Sequence, residues 1–222
     1  PRWLPVSVPG TAAGAIRDAN GVDAARQAQT DASDWWFVTD VPARGRGPWR
    51  LSFDGLATQA EIWVGSQRVA VSESMFVPFV VVLDELPRPA RIALRFPSLD
   101  AALKTRRPRG RWRSSLISAQ GLRWFRTTLL GRAPVFGGVP APVGPWRPVR
   151  LLDGADPVTT SRRVHTHLDG SDGVVEIEVV LAGPAVTSVL VTVGEQEARA
   201  EIVSRQDGSI LVRARVVVPE AR

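Results

Sequence analysis

The sequence predicts an all-β protein built from two successive β-sandwiches. Short runs of residues alternate between apolar and polar at period two, the signature of half-buried strands. Turn-forming dipeptides that contain Gly separate these runs. The 19 glycines and 18 prolines are spread along the chain, which favours short strands over long helices. At 222 residues the chain is long enough for one large or two smaller domains.

The first half begins with an extended segment, 1–34, in which single helical turns are expected at 11–16 and 24–28. Strand-like runs follow and are separated by turns such as Asp54-Gly55. The run 79–83 is continuously apolar, which predicts a buried strand. This spacing indicates an antiparallel sandwich or barrel. The predicted strands are 35–38, 49–53, 60–64, 68–71, 79–83 and 91–96.

Residues 98–145 break this rhythm with a short predicted helix at 98–104, an Arg-rich run and a Gly/Pro stretch at 137–145. A long excursion in a compact β-domain is usually functional or disordered. The run 148–152 is then predicted to be the last strand of the first domain.

The segment 153–157 is the predicted boundary, so the expected domains are 1–153 and 157–222. Beyond it, strand-like runs at 174–181, 186–193, 198–203 and 210–218 form an immunoglobulin-like pattern, with a weaker strand near Val164. Because that fold needs about seven strands, we expect this second sandwich to be incomplete within the chain.

The positive charge is local. Residues 1–153 carry 21 basic and 12 acidic groups, and residues 154–222 carry 7 and 10. Six of the positive charges lie in one segment, at Lys104, Arg106, Arg107, Arg109, Arg111 and Arg113. A single basic loop does not require a nucleic-acid partner.

Several classes of chemistry have no support in the residues. The absence of Cys excludes disulfides and thiolate catalysis. No nucleophile elbow, phosphate-binding loop or dinucleotide fingerprint occurs, so no cofactor is expected. No apolar run spans a bilayer, and no membrane partner is expected. A bacterial cytoplasmic or periplasmic location is favoured over a membrane location, and a signal peptide lost before Pro1 is left open.

Five motifs resemble those of the amino-terminal sugar-binding domain of glycoside hydrolase family 2, in its β-mannosidase-like branch. They cover 1–153, and 157–222 resembles the immunoglobulin-like domain that follows in this family. The motifs are Val8-Pro9-Gly10-Thr11, Asp34-Trp35-Trp36-Phe37, 51–65 (with Phe53-Asp54-Gly55-Leu56), Ser74-Met75-Phe76 with Phe79, and Gly144-Pro145-Trp146-Arg147-Pro148-Val149.

The resemblance implies a jelly-roll, galactose-binding-like sandwich, then the immunoglobulin-like domain, then a TIM barrel with two catalytic glutamates. A barrel needs about 250 residues, so no catalytic residue can be assigned here. The chain is then expected to be a non-catalytic portion that shapes the sugar cleft and docks on a barrel outside it. The loop 134–140 lacks the Trp-Asp-Trp-Gly-Pro of β-mannosidases, which puts mannose specificity in doubt.

Trp112, Trp124 and Phe125 interleave with arginines in the excursion, which suits stacking on bases or sugars. The candidate substrate-binding residues are Trp112, Arg123, Trp124, Arg126 and Phe136. The alternative for these aromatics is anchoring of the loop against the sandwich. A structural or inter-domain role is expected for Trp35, Trp36, Asp54, Trp146 and Arg147, with Trp35 and Trp36 on opposite faces of a strand.

His165 and His167 would share one face of a strand, as metal ligands can. No third ligand with suitable spacing is apparent, so two ordinary surface histidines and no metal site are expected. Glu176 and Glu178 are expected on the solvent side of their strand.

Three functions remain to be compared. The first is a fragment of a family 2 glycoside hydrolase, with carbohydrate and the missing barrel as partners. The second is a stand-alone carbohydrate-binding module. The third, a nucleic-acid binder using the Arg-rich loop, ranks last because no recognition helix or RNA-binding signature accompanies the charge.

Overall fold

The computed structural model describes residues 3–42, 48–87, 89–108, 110–136, 138–154, 157–183, 186–206 and 208–220. The chain divides into two compact units, Pro1–Leu152 and Asp153–Arg222. No helix within the described ranges is long and apolar enough to cross a membrane.

The first unit is a β-sandwich, as the sequence predicts. Its strands form a four-stranded sheet in the order β1-β6-β3-β4 and a three-stranded sheet in the order β5-β2-β7. The strands are β1 (Trp35–Val41), β2 (Trp49–Phe53), β3 (Ala60–Val64), β4 (Gln67–Ser72), β5 (Phe79–Leu83), β6 (Ala90–Phe96) and β7 (Val149–Asp153).

The core lies between the two sheets and is filled by the inward residues of each strand. In β2 and β3 buried and half-buried residues alternate, as period two requires. Phe53 stacks on Phe79 with ring centroids 4.9 Å apart, and Phe37 meets Phe96 edge-on at 5.4 Å. Apolar burial of this kind is the main stabilising term of the unit.

The strand β5 is not the buried strand that its apolar run predicts. Phe79, Val81 and Leu83 pack on the core, whereas Val80 and Val82 are 40% and 61% exposed. Val80 and Val82 are exposed because only one face of β5 meets the core. The strand also lies at the edge of its sheet, so β2 covers it on one side only. A continuous apolar run does not reveal this difference.

Two helices precede the sandwich and are longer than the single turns expected. Thr11 caps the amino-terminal end of the helix α1 (Ala12–Asn20), and its hydroxyl accepts a hydrogen bond from the Gly14 amide at 3.1 Å. The helix α2 (Val22–Gln27) follows directly after Gly21.

The excursion between β6 and β7 has its own small core. It contains α3 (Leu99–Leu103), as predicted, and two 3-10 helices at Gln120–Trp124 and Pro134–Phe136. Leu99, Leu122 and Phe125 are buried together. The excursion is therefore a packed structure as well as a connection.

The second unit contains six strands in its described part. Four form a sheet in the order β12-β13-β9-β8, and two form a hairpin, β10-β11. Its core is entirely aliphatic, with Ala200, Ile210, Val212 and Ala214 buried at the centre. The strands are β8 (Val158–Asp169), β9 (Asp172–Ala182), β10 (Leu190–Val193), β11 (Gln196–Arg199), β12 (Glu201–Gln206) and β13 (Ser209–Val218).

Three details of this unit differ from the sequence prediction. The run 186–193 is a strand only in its second half, as β10 (Leu190–Val193). The weak strand near Val164 is the longest of all, β8, with 12 residues. The run 198–203 is divided between β11 and β12, because the Ala200 amide donates to the Val189 carbonyl at 2.8 Å. Residues 155 and 156 of the predicted boundary lie outside the described ranges.

Candidate functional site

The excursion is fixed to the sandwich by a buried ion pair. The Arg132 guanidinium donates through Nε and Nη2 to the two carboxylate oxygens of Asp31, at 2.6 and 2.7 Å. The Arg132 side chain is 4% exposed and that of Asp31 14%. Arg132 Nη1 also donates to the Thr127 hydroxyl at 2.9 Å and to the Thr128 carbonyl at 3.0 Å. Its donors are thus largely satisfied, as burial of a charge requires.

Met75 makes a second attachment. Its amide donates to the Arg126 carbonyl at 3.0 Å, and its sulfur accepts from the Thr128 amide at 3.0 Å. Its carbonyl accepts from the Trp146 indole nitrogen at 2.9 Å. Between Arg126 and Thr128, the Thr127 hydroxyl also hydrogen-bonds to the hydroxyl of Thr58. The chain around 124–128 is therefore held from both sides.

Beside this attached segment, Trp112 and Arg123 form a stacked pair. The guanidinium carbon of Arg123 lies 4.1 Å from the Trp112 ring centroid. Arg123 donates to the Trp112 carbonyl at 2.9 Å, and to the carbonyl and side-chain oxygens of Gln120 at 2.9 and 2.8 Å. Stacking and hydrogen bonding together fix a planar cation against an aromatic ring.

Trp124 borders two clefts. One, of about 260 Å³, is also lined by Trp112 and Arg123, and the other, of about 430 Å³, by Arg126 and Ser74. Arg107 and Phe125 line both clefts. The structure thus brings Trp112, Arg123, Trp124 and Arg126 to one surface.

The exposure of the two tryptophans counts against the anchoring alternative. Trp112 is 62% exposed and Trp124 44%. The anchoring is instead done by Leu122 and Phe125, which are buried. Over Phe125 lies the Arg107 guanidinium, 5.0 Å from the ring centroid.

Phe136 ends a 3-10 helix, but its side chain lies outside what the structure describes. The role of Phe136 in substrate binding therefore stays a prediction. Arg109 of the Arg-rich run lies entirely outside the described residues.

The surface is basic, and among the described residues Glu73 is the acid that lines one of its clefts. The sequence has no Asp or Glu from residue 101 to residue 150. Among the described residues of the Arg-rich run, none forms an ion pair within 4.0 Å of a carboxylate; these are Lys104, Arg106, Arg107, Arg111 and Arg113. Their donors face solvent or aromatic rings, which suits an oxygen-rich or anionic ligand.

Four of the five residues predicted to be structural make defined contacts in the first unit. Trp35 packs on the core and donates to the Thr30 carbonyl at 2.8 Å, while Trp36 on the opposite face is exposed. Asp54 pairs with Arg150 at 2.7 Å. The Arg147 guanidinium lies 4.3 Å from the Trp146 ring centroid. A domain-joining role for Trp146 stays a prediction.

Asp34 connects β1 to the start of the excursion. Its Oδ2 accepts from Arg95 at 2.7 and 3.1 Å, and its Oδ1 accepts from the Ser98 amide at 2.9 Å. The hydrogen bonds from Arg95 have the largest effect, followed by that from the Ser98 amide, and they hold the pKa of Asp34 below its ordinary value. Ser98 in turn caps α3.

Sequence reasoning missed Asp31, Arg132 and Met75 as determinants of this surface, whereas for Phe125 the anchoring alternative agrees with its burial. Asp31 and Arg132 are 101 residues apart, and no local pattern connects them. Met75 was noted only as part of a motif. The interleaving of Arg with aromatics pointed to the segment but not to the residues that hold it.

Comparison with known proteins agrees with the fold of the first unit. The family described as "Glycosyl hydrolase 2 galactose-binding domain-like" matches residues 1–147. The chain belongs to this glycoside hydrolase family 2 group. A comparison with curated protein sequences finds no match.

Solved structures of a β-mannosidase and a β-glucuronidase share the fold. The β-D-mannosidase from Dictyoglomus thermophilum superposes with a TM-score of 0.69 at 16% identity, over 99% of this chain and 29% of that one. The β-glucuronidase 3 from Bacteroides uniformis gives 0.51 at 12% identity, over 89% of this chain and 24% of that one. The family 2 chain described here therefore spans under a third of either enzyme.

Proposed function

We propose that the chain is the non-catalytic amino-terminal portion of a β-mannosidase-like family 2 glycoside hydrolase. It shapes one wall of the sugar cleft and docks on a TIM barrel carried by polypeptide outside residues 1–222. The observation that carries the proposal is the pair of exposed tryptophans, Trp112 and Trp124, on a firmly attached loop of a family 2 domain.

The chemistry of this surface fits a sugar. An aromatic face offers an apolar plane to the C–H groups of a pyranose, and neighbouring guanidinium groups donate hydrogen bonds to its hydroxyls. Arg123 is held by Gln120 and the Trp112 carbonyl before any ligand arrives. A fixed donor loses little freedom on binding, which favours affinity.

The distribution of carboxylates supports a non-catalytic role. A retaining glycosidase needs two carboxyl groups about 5–5.5 Å apart. The sequence from 101 to 150 offers none. Of the carboxylates in described ion pairs, the two least exposed are Asp31 and Glu61, and arginines bind both. The acid and the nucleophile are therefore assigned to the barrel.

The first test is hydrolysis by the purified 222-residue chain. We expect no release of nitrophenol from aryl mannosides, glucosides or glucuronides above the buffer rate. Turnover that a single substitution within 1–222 abolishes would contradict the proposal.

The second test is the reading frame of the gene beyond the codon for Arg222. We expect it to encode a barrel of about 250 residues with two catalytic glutamates. A stop codon directly after Arg222 would instead favour the alternative, a stand-alone carbohydrate-binding module.

That alternative rests on the same exposed pair, Trp112 and Trp124, which would then bind sugar without a barrel. It predicts sugar binding with Kd on the order of millimolar or tighter, measured by calorimetric titration with mannosides, glucosides and uronides. Trp124→Ala should abolish the heat, whereas Trp3→Ala should not, since Trp3 is 63% exposed, more than the 44% of Trp124, but lines neither cleft. A flat titration of the unaltered chain counts against the module.

A further inference from the structure

Three potential metal ligands meet on the second unit, far in sequence from the sugar surface. His165 and His167 lie two residues apart on β8, and their side chains share one face of the strand. Glu176 lies on β9 directly opposite His165 in the antiparallel register. The sequence offers no third ligand at short spacing, but the β8–β9 pairing supplies one.

The distances suit chelation. The His165 Nδ1 atom lies 3.6 Å from Glu176 Oε2, and one ligand atom from each of the three residues can be chosen so that all lie within 4.8 Å of one another. In a tetrahedral zinc site with bonds of about 2.0–2.1 Å, ligand atoms are ~3.4 Å apart. All three side chains are exposed, so rotation about their χ angles can close the remaining gap without disturbing the backbone.

We propose that His165, His167 and Glu176 bind one divalent transition-metal ion, with Zn²⁺ the best fit. Two imidazoles and a carboxylate are a recognised zinc ligand set, whereas Mg²⁺ and Ca²⁺ prefer all-oxygen sites. The exposed face leaves the fourth position to water. The ion joins the edge strand β8 to β9 through side chains.

The surrounding charges leave Glu176 available. Arg213 donates to Glu178 at 2.8 Å, and Arg163 lies 3.7 Å from the same carboxylate. Arg215 is opposite Glu176 in register, yet its guanidinium lies 3.8 Å from Asp169. Each of these three arginines therefore has another acid, and within the described part of the chain Glu176 forms its ion pair with His165.

The composition makes the test selective. The chain has two His and no Cys, so all imidazole and thiolate ligands of the protein are in this one site. Any zinc binding that depends on imidazole must therefore occur here. The sample must be the 222-residue chain without a histidine tag.

The experiment is a zinc titration of that chain against a competing chromophoric chelator. We expect one Zn²⁺ per chain. His165→Ala and His167→Ala should each lower the affinity at least about tenfold, the minimum loss typical even of groups that only support a ligand. Glu176→Gln should also lower it. Glu195→Gln, in the turn between β10 and β11, is the control because it leaves the arginines around Glu176 paired, and it should leave the affinity within about twofold.

A second measurement follows hydrogen exchange of the amides in β8. Saturating Zn²⁺ should slow exchange in this strand, because a cross-link to β9 opposes opening of the sheet edge. The slowing should vanish in His167→Ala.

Three results would overturn the proposal. The first is equal zinc affinity in the unaltered chain and in the doubly substituted chain with Ala at both histidine positions. The second is unchanged affinity in Glu176→Gln. The third is half an equivalent of zinc per chain together with dimers in light scattering, since the ion would then bridge two copies.

Discussion

Arg132 illustrates how much of this surface depends on one side chain. It is buried, it binds both oxygens of Asp31, and it also donates to the Thr127 hydroxyl and the Thr128 carbonyl. Its removal leaves a carboxylate at a site that is largely closed to water. A buried charge without its partner is far more costly than a lost surface contact.

We therefore expect Arg132→Ala to lower the free energy of unfolding by about 3–5 kcal/mol. The measurement is urea denaturation followed by near-ultraviolet circular dichroism. Arg91→Ala is the control, because Arg91 makes the same two-bond contact with Asp40 but in full solvent exposure. Its midpoint should hardly move, since water screens such pairs. Equal losses of unfolding free energy in the two variants would contradict the conclusion that burial makes the Asp31–Arg132 pair the more costly one to break.

The residues that carry the family resemblance meet in space. A side chain at Gly55 would place its Cβ 2.8 Å from both the Trp146 indole nitrogen and the Met75 carbonyl oxygen. Three separate motifs thus converge at one close contact. At Gly144 the φ angle of 133° and a Cβ position 2.7 Å from the Phe37 ring likewise require glycine.

At the scale of elements, Asp34 joins β1, β6 and α3 through its bonds to Arg95 and Ser98. Its pKa is held below the ordinary value, so the ionised form stabilises the fold. That stabilisation is complete above the ordinary aspartate pKa of about 3.9 and is lost as pH falls through the lowered value.

The corresponding prediction concerns the variant Asp34→Asn. It should be less stable than the unaltered chain at pH 7, and the difference should shrink at acid pH, because only the unaltered chain has this carboxylate to protonate. Thermal unfolding at several pH values between about 2 and 7 tests this. Asp40→Asn should change less, since the pKa of Asp40 is also lowered by Arg91 but solvent screens that pair. A difference that is constant with pH would exclude the proposed cause.

The positions of the strands in the first unit were the most predictable part of the fold. The runs 49–53, 60–64 and 79–83 are the strands β2, β3 and β5 without change, because alternation and flanking turns are local signals. The burial of β5 was predicted wrongly because it depends on which neighbour covers each face. The lengths of α1 and β8 were likewise set by packing and pairing that no local pattern encodes.

At the scale of the molecule, we predict that residues 1–153 fold independently. Their core is complete by itself, with both sheets contributing. The fragment 1–143 should fail, because it lacks β7 and the Gly144–Trp146 segment, whose backbone bonds reach Gly10 and Ala57.

Dispersed amide signals in two-dimensional nuclear magnetic resonance spectra provide the measurement. The longer fragment should show them and the shorter one should not. Failure of both would contradict the domain division, whereas folding of both would show that β7 is dispensable.

The candidate site was predictable only as a segment. The interleaving of Arg and Trp predicts a binding segment at 112–126. In the structure Trp112, Arg123, Trp124 and Arg126 share a surface. The residues that hold it come from distant places, such as Asp31 and Met75. Which aromatic anchors and which remains exposed was decided by the small core around Leu122 and Phe125.

The aliphatic core of the second unit has a practical consequence. No Phe, Trp or Tyr occurs after residue 153, so this unit contributes almost nothing to absorbance at 280 nm or to intrinsic fluorescence. A preparation in which proteolysis had removed it would give an unchanged absorbance spectrum near 280 nm. Mass spectrometry or the imidazole proton signals, which arise only there, will detect its loss.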